Sequence, residues 1–241
     1  MKIQLVPANS RGHLNFGWLD AHHTFSFGEY YNRNMMHFGA LRVLNDDLIA
    51  PQSMFPLHPH NNMEIITVVL SGTIEHQDSM GNKAQVTAGE IQVMSAGSGI
   101  YHSEANPDDK IMLNSFQIWI MPKLRDITPR YDQQSFISQL NTHNCWHTIV
   151  TPDGRNATLM INQDAFLSLG NFDAAHPEKH TYTRQQTGNG IFLMVIEGSI
   201  TLDNHQLNRR DAVMIEDCAQ ISFIANQDCR LLVIEVPMIF K

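Results

Sequence analysis

Two short segments of this chain place potential metal ligands two residues apart: His58-Pro59-His60 and, some forty residues later, His102-Ser103-Glu104. On a β-strand, residues i and i+2 point to the same face, so each segment, if extended, aims two ligands into one space. Two such strands facing each other inside a barrel would offer three imidazoles and a carboxylate. That donor set suits Fe, Mn, Co, Ni, Cu or Zn and suits Mg or Ca poorly. Glu64 lies six residues beyond His58, and a continuous strand would put it on the same face as the histidines. Five side chains therefore compete for four places.

The elements that must carry these residues are β-strands. Short runs rich in Val, Ile, Phe and Thr alternate with turn residues, and helical periodicity is scarce. Ile65–Leu70, Ser115–Met121, Ile191–Glu197 and Leu231–Val236 are clear strand candidates. The two halves resemble each other. Glu64-Ile-Ile-Thr-Val-Val-Leu-Ser-Gly72 answers to Ile191-Phe-Leu-Met-Val-Ile-Glu-Gly198, each followed by a hairpin and a later strand that ends at a proline, Pro122 or Pro237. A repeat of about 120 residues predicts two copies of one β-domain. The expected boundary gives an N-terminal domain, 1–125, and a C-terminal domain, 126–241. The linker is expected in Lys123–Asn141, with a short helix at Gln133–Leu140. The second copy lacks paired ligands: His176 and His180 lie outside any clear strand, and Ile221-Ser222-Phe223 stands where the first copy has His102-Ser103-Glu104.

The chain has 241 residues, long enough to bury a core without covalent staples, and a formal net charge of −8 with no basic run. This argues against direct nucleic-acid binding. No stretch approaches the ~18 apolar residues that cross a bilayer, and the first ten residues do not resemble a secretory signal. A cytoplasmic protein is expected, with no membrane partner; nothing in the pattern speaks to oligomeric state. Cys145, Cys218 and Cys229 have no metal-like spacing and are expected as buried, reduced thiols. Trp18, Trp119 and Trp146 are expected in the core, and Asp46-Asp47 in a solvated turn. One of His22 and His23, beside Phe25-Ser-Phe27, could flank a pocket.

The ligand pairs, with Gly72, Gly89 and Gly97 around them, resemble the cupin pattern, in which a small jelly-roll-like barrel holds a metal between two strand pairs. Many cupins use a glutamate at the place of Glu64. Gly72-Thr-Ile-Glu-His-Gln-Asp-Ser79, Ser98-Gly-Ile-Tyr-His-Ser-Glu104, Gly17-Trp-Leu-Asp-Ala-His-His-Thr-Phe-Ser-Phe-Gly-Glu-Tyr-Tyr31 and Leu41-Arg-Val-Leu-Asn-Asp-Asp47 look like pirin in particular. The likeness covers most of residues 10–122 and extends more loosely through the second half, which resembles the degenerate C-terminal cupin of bacterial quercetinase-type members. It implies an all-β bicupin with few short helices and one divalent transition metal, iron first, in the N-terminal barrel. It implies ligands His58, His60, His102 and Glu104. Glu104 or Glu64 would then take the proton from a substrate hydroxyl.

Three neutral imidazoles and a carboxylate leave a divalent ion about +1, which favours an anionic oxygen such as an ionised flavonol hydroxyl or an enolate. The implied activity is that of a quercetin 2,3-dioxygenase, which opens the central ring of a flavonol-like enol with O2 and releases carbon monoxide. The resemblance also carries a different function, a metal- or redox-sensing protein acting through protein partners, as eukaryotic pirins do.

Overall fold

A computed structural model gives the fold and describes residues 1–176 and 178–240. From the N-terminus run β1 (Lys2–Val6), β2 (Gly12–Asn15), β3 (Leu19–His23), β4 (Leu41–Ile49), β5 (Met54–His60), β6 (Glu64–Ser71), β7 (Thr73–Asp78), β8 (Lys83–Thr87), β9 (Glu90–Ser95), β10 (Ile100–Ala105), β11 (Leu113–Ile120) and β12 (Arg130–Ser135). After the one-turn helix α1 (Ile137–Leu140) come β13 (His147–Thr151), β14 (Leu159–Met160), β15 (Phe166–Phe172), β16 (His180–Thr183), β17 (Asn189–Glu197), β18 (Ser199–Leu202), β19 (His205–Asn208), β20 (Ala212–Glu216), β21 (Gln220–Ala225) and β22 (Cys229–Pro237). Among the described residues, no helix is long and apolar enough to cross a membrane.

The strands build two compact units, each with one seven-stranded and one four-stranded sheet. In the first unit the orders are β12-β9-β6-β11-β4-β3-β2 and β5-β10-β7-β8; in the second they are β1-β20-β17-β22-β15-β13-β14 and β16-β21-β18-β19. The repeat is visible strand by strand, since β6, β9 and β11 hold the positions of β17, β20 and β22. It also explains two departures from expectation. The edge place beside β9 is taken by β12, from the segment expected to be a linker with a helix, and the equivalent place beside β20 is taken by β1. Unpaired edge N–H and C=O groups favour such additions. The first unit is thus Gly12–Phe136 with Ile161–Gln163, and the second is Met1–Arg11, Ile137–Met160 and Asp164–Lys241. The expected 125/126 boundary falls before a strand that the first unit keeps.

Alternation along β6 divides the first unit. Ile65 belongs to an apolar cluster with Met94, Ala96 and Ile100, and Val69 to another with Leu19, Ile49, Ile74 and Leu113. Thr67 shares their face and is fully buried, yet polar. The barrel interior is therefore apolar at both of these levels and polar at the level of Thr67. The interior of the second unit also carries polar groups: the fully buried Glu235, on the same face of β22 as Leu231 and Val233, accepts from Tyr182 Oη and Asn189 Nδ2. Phe172, Tyr182, Ile191, Leu193, Phe223 and Val233 belong to one continuous apolar core there. His180 lies in β16 rather than outside a strand, opposite Phe223, and its ring packs on those of Phe172 and Phe223.

The three cysteines are free, and only Cys229 is fully buried.

Candidate metal centre

β5 carries His58 and His60 on the edge of the four-stranded sheet. Its prolines, Pro56 and Pro59, lack the N–H that an interior strand would need, and an edge tolerates this. β10 pairs with β5 in antiparallel register, His102 opposite His58 and Ile100 opposite His60. The register slips between His102 and Glu104, an irregularity of the kind that re-aims side chains. The three imidazoles converge: ring centroids are 4.5 Å apart for His58–His102 and 4.8 Å for both His58–His60 and His60–His102.

The proton positions in this cluster follow from its partners. His58 Nδ1 lies 2.7 Å from the carbonyl of Pro56, which can only accept, so Nδ1–H donates and Nε2 keeps its lone pair. His60 Nε2 and His102 Nε2 are buried and without a hydrogen-bond partner. Burial, with the neighbouring His102 and His58, pushes the His60 imidazole down to about 4. Burial, with His58 and His76, pushes His102 down to about 3. Both rings are neutral donors at neutral pH. Orphaned buried nitrogens are costly unless something ligates them, so the residues present fit a borderline transition-metal ion.

Glu104 is buried beside the cluster, and neighbouring donors orient its carboxylate. Oε1 accepts from Gln92 Nε2 at 2.9 Å and from Thr67 Oγ1 at 3.4 Å, and Oε2 accepts from Gln117 Nε2 at 2.7 Å. Its ligand atoms group with those of His102 and His76, all within 4.8 Å, as the atoms of the three histidines do among themselves. His76 was not singled out from sequence. It contacts His102 Nδ1 through its own Nδ1 at 3.4 Å, while its Nε2 lies 3.2 Å from Asp78 Oδ2. His76-Gln77-Asp78 has the same two-residue spacing as the ligand pairs, and that was the available signal. The His76 ring stacks on Tyr131 of β12, with centroids 4.5 Å apart. Tyr131 in turn donates to Gln133 and lies within reach of Gln92 Oε1. The segment expected as a linker therefore buttresses the site.

Glu64 is elsewhere. β5 ends at His60, and the chain turns through Asn62, whose φ is +48°, before β6 begins. The continuous strand that would have aligned Glu64 with His58 does not exist. On β6, Glu64 sits on the face opposite Thr67, and its Oε2 accepts from Ser95 Oγ at 2.7 Å and from Asn162 N at 3.1 Å. The role expected for Glu64 in handling a substrate proton is not supported by this placement.

A cavity of about 280 Å³ opens onto His58, His60 and Glu104. Phe27, Phe55 and Trp119 are among its walls, and Trp119 packs edge-on against both Phe27 and His60. Trp119 is thus a wall of the cavity, not merely core. His23, one of the two histidines considered for a pocket, lines it and is hydrogen-bonded through Nδ1 to Asn45 Oδ1 at 2.8 Å. Asp47 lines it as well and is buried, so the expected solvated turn is a buried strand.

Tandem barrels with ligand-type side chains converging in one of them define a bicupin. Residues 6–120 match the Pirin family, and residues 148–236 match the quercetinase C-terminal cupin domain. The chain is 43% identical to a quercetin 2,3-dioxygenase of Escherichia coli K12, over 98% of this chain and 99% of that one. It is 38% identical to a pirin-like protein of Caulobacter vibrioides, over 97% and 99%. The chain belongs to the pirin family. Its fold superposes on the crystal structure of the bacterial pirin YhhW from Escherichia coli in complex with nickel(II), with a TM-score of 0.92, 42% identity and coverage of 99% of this chain and 100% of that one. Metal binding is thus supported both by the donor set here and by a nickel-bearing relative.

Proposed function

We propose that the protein is a metal-dependent dioxygenase of the quercetinase kind, acting on a flavonol-like enol with O2. The observation that carries this reading is the set of imidazole lone pairs at one end of an aromatic-walled cavity. In this reading His58, His60, His102 and Glu104 hold one divalent ion. Such an ion supplies Lewis acidity and access to one-electron chemistry with dioxygen. The flat walls formed by Phe27, Phe55 and Trp119 suit a planar ring system and keep bulk water from it. Of the two glutamates considered, Glu104 alone lines the cavity, so it takes the role of accepting the substrate's hydroxyl proton. Its hydrogen bonds from Gln92 and Gln117 keep the carboxylate oriented for this. The relatives named quercetin 2,3-dioxygenase support the same chemistry.

The test is direct. Protein loaded anaerobically with Fe(II), and separately with Mn, Co, Ni or Cu, is mixed with quercetin and oxygen. Multiple turnovers are expected, with loss of flavonol absorbance matched by oxygen uptake. No turnover with any of these metals would shift the assignment to the sensing role.

A further inference from the structure

Outside the histidine cluster, the polar side chains around the cavity have protein partners, with one exception. Asn45 is bound to His23, and Gln117 is held between Glu104 and Trp119 Nε1. Asp47 differs. It is 5% exposed, and among the described residues its carboxyl makes no hydrogen bond. Strand parity explains why it faces inward. On β4, Asn45, Asp47 and Ile49 share the interior face, while Asp46 points the other way and accepts from Asn114. The neighbours across from Asp47 are Ala21 on β3 and Ser115 on β11, both too short to reach far along the wall. A buried carboxyl with nothing to bind is a group waiting for a partner.

We propose that Asp47 is the recognition group of this cavity: it hydrogen-bonds a second hydroxyl of a planar phenolic molecule whose first oxygen faces the histidine cluster. The inference rests on the flavonol reading above and narrows it to polyhydroxylated ligands. Burial, together with the charges of Asp46 and Glu104, holds the Asp47 carboxyl well above the ordinary range. A carboxyl accepts a hydrogen bond from a phenol whether or not it carries its own proton. Sites built to bind a hydroxyl reject analogues that lack it, because the protein group is then left unpaired.

The experiment compares quercetin with 3-hydroxyflavone, which keeps the enol and carbonyl oxygens but no other hydroxyl. Binding to metal-loaded, oxygen-free protein is followed by fluorescence titration. In Asp47→Leu, quercetin binding is expected to weaken about tenfold, the loss of one hydrogen bond, while 3-hydroxyflavone changes less than about twofold and metal content is unchanged. Asp47→Asn, which can still donate and accept, should keep most of the preference. Equal weakening of both ligands, or a preference for quercetin that survives in Asp47→Leu, overturns the proposal. Thermal melting without ligand is the second measurement. Removing a carboxyl kept only for a ligand should raise the melting temperature by about 2–4 °C. An unchanged or lower value marks Asp47 as structural and also overturns the proposal. Wild-type protein that binds neither flavonol removes the flavonol reading itself; the melting result then decides whether Asp47 is kept for another hydroxylated ligand.

Discussion

The Nδ1 atoms of His102 and His76 lie 3.4 Å apart, and His76 Nε2 lies 3.2 Å from Asp78. Burial alone would raise the Asp78 carboxyl, but hydrogen bonds from Asn82, His76 and Met80 hold it below its ordinary value. Asp78 is thus an acceptor, and His76 Nε2–H donates to it. His76 Nδ1 then carries a lone pair that accepts from His102 Nδ1–H, which leaves the His102 Nε2 lone pair facing His58 and His60. This carboxylate–histidine–histidine chain fixes a tautomer that the His102 ring by itself would not choose.

Breaking the chain should therefore weaken metal binding without touching a ligand. His76→Phe keeps a ring against Tyr131 but removes the acceptor. Metal affinity, measured by competition with a chromophoric chelator, is expected to fall by about 10–100-fold. Asp78→Asn should fall in the same direction by a smaller factor. Unchanged affinity in His76→Phe would show that His102 needs no orienting partner.

Metal content should be about one ion per chain by elemental analysis of protein purified without chelators. Alanine at His58, His60 or His102 should abolish tight binding, because each removes one of four donors. Glu104→Gln should weaken retention, since an amide oxygen is a poorer ligand than a carboxylate. Glu64→Gln should leave metal retention unaltered. Two ions per chain, or full occupancy in His102→Ala, would contradict this assignment.

Glu64 offers a pH test that is independent of the metal. Burial raises its carboxyl above the ordinary value, despite Ser95, Asn162 and Arg130. A carboxyl with a raised value in the folded state binds its proton more tightly than in the unfolded chain. Its contribution is therefore present at low pH and is lost as pH rises from about 4.5 through the folded value. Glu64→Gln removes that loss. The melting temperature of Glu64→Gln minus that of wild type should be more positive at pH 7.5 than at pH 4.5. A difference that does not change with pH would mean that the buried carboxyl is not under this penalty.

The turn before β10 is a third lever. Gly97 adopts φ +48°, and a Cβ built there would collide with the carbonyl of Ile127. Gly97→Ala combines left-handed strain with that overlap and should lower the melting temperature by about 5 °C or more. Because β10 carries His102 and Glu104, metal affinity should fall with it. A neutral Gly97→Ala would show that the loop relaxes freely.

The sequence by itself determined the local facts: which segments are strands, that the chain repeats, and that His58, His60 and His102 form inward-facing sets. Those follow from side-chain alternation and two-residue spacing, which are properties of contiguous residues. Tertiary structure alone decided what depends on pairing between distant strands. β12 and β1 fill equivalent edges because each seven-stranded sheet offers an unpaired strand there, and nothing local in Arg130–Ser135 or Lys2–Val6 says which sheet it will join. Glu64 left the site because the chain turns at Asn62, a break in strand continuity that spacing arguments assume away. His76, Tyr131 and Asp47 entered it from three strands far apart in the chain, and their value lies in who faces them: an imidazole, a stacked ring and an open cavity. A polar residue on a strand looks the same in sequence whether it meets water or a buried lone pair, and only the closed barrel distinguishes the two.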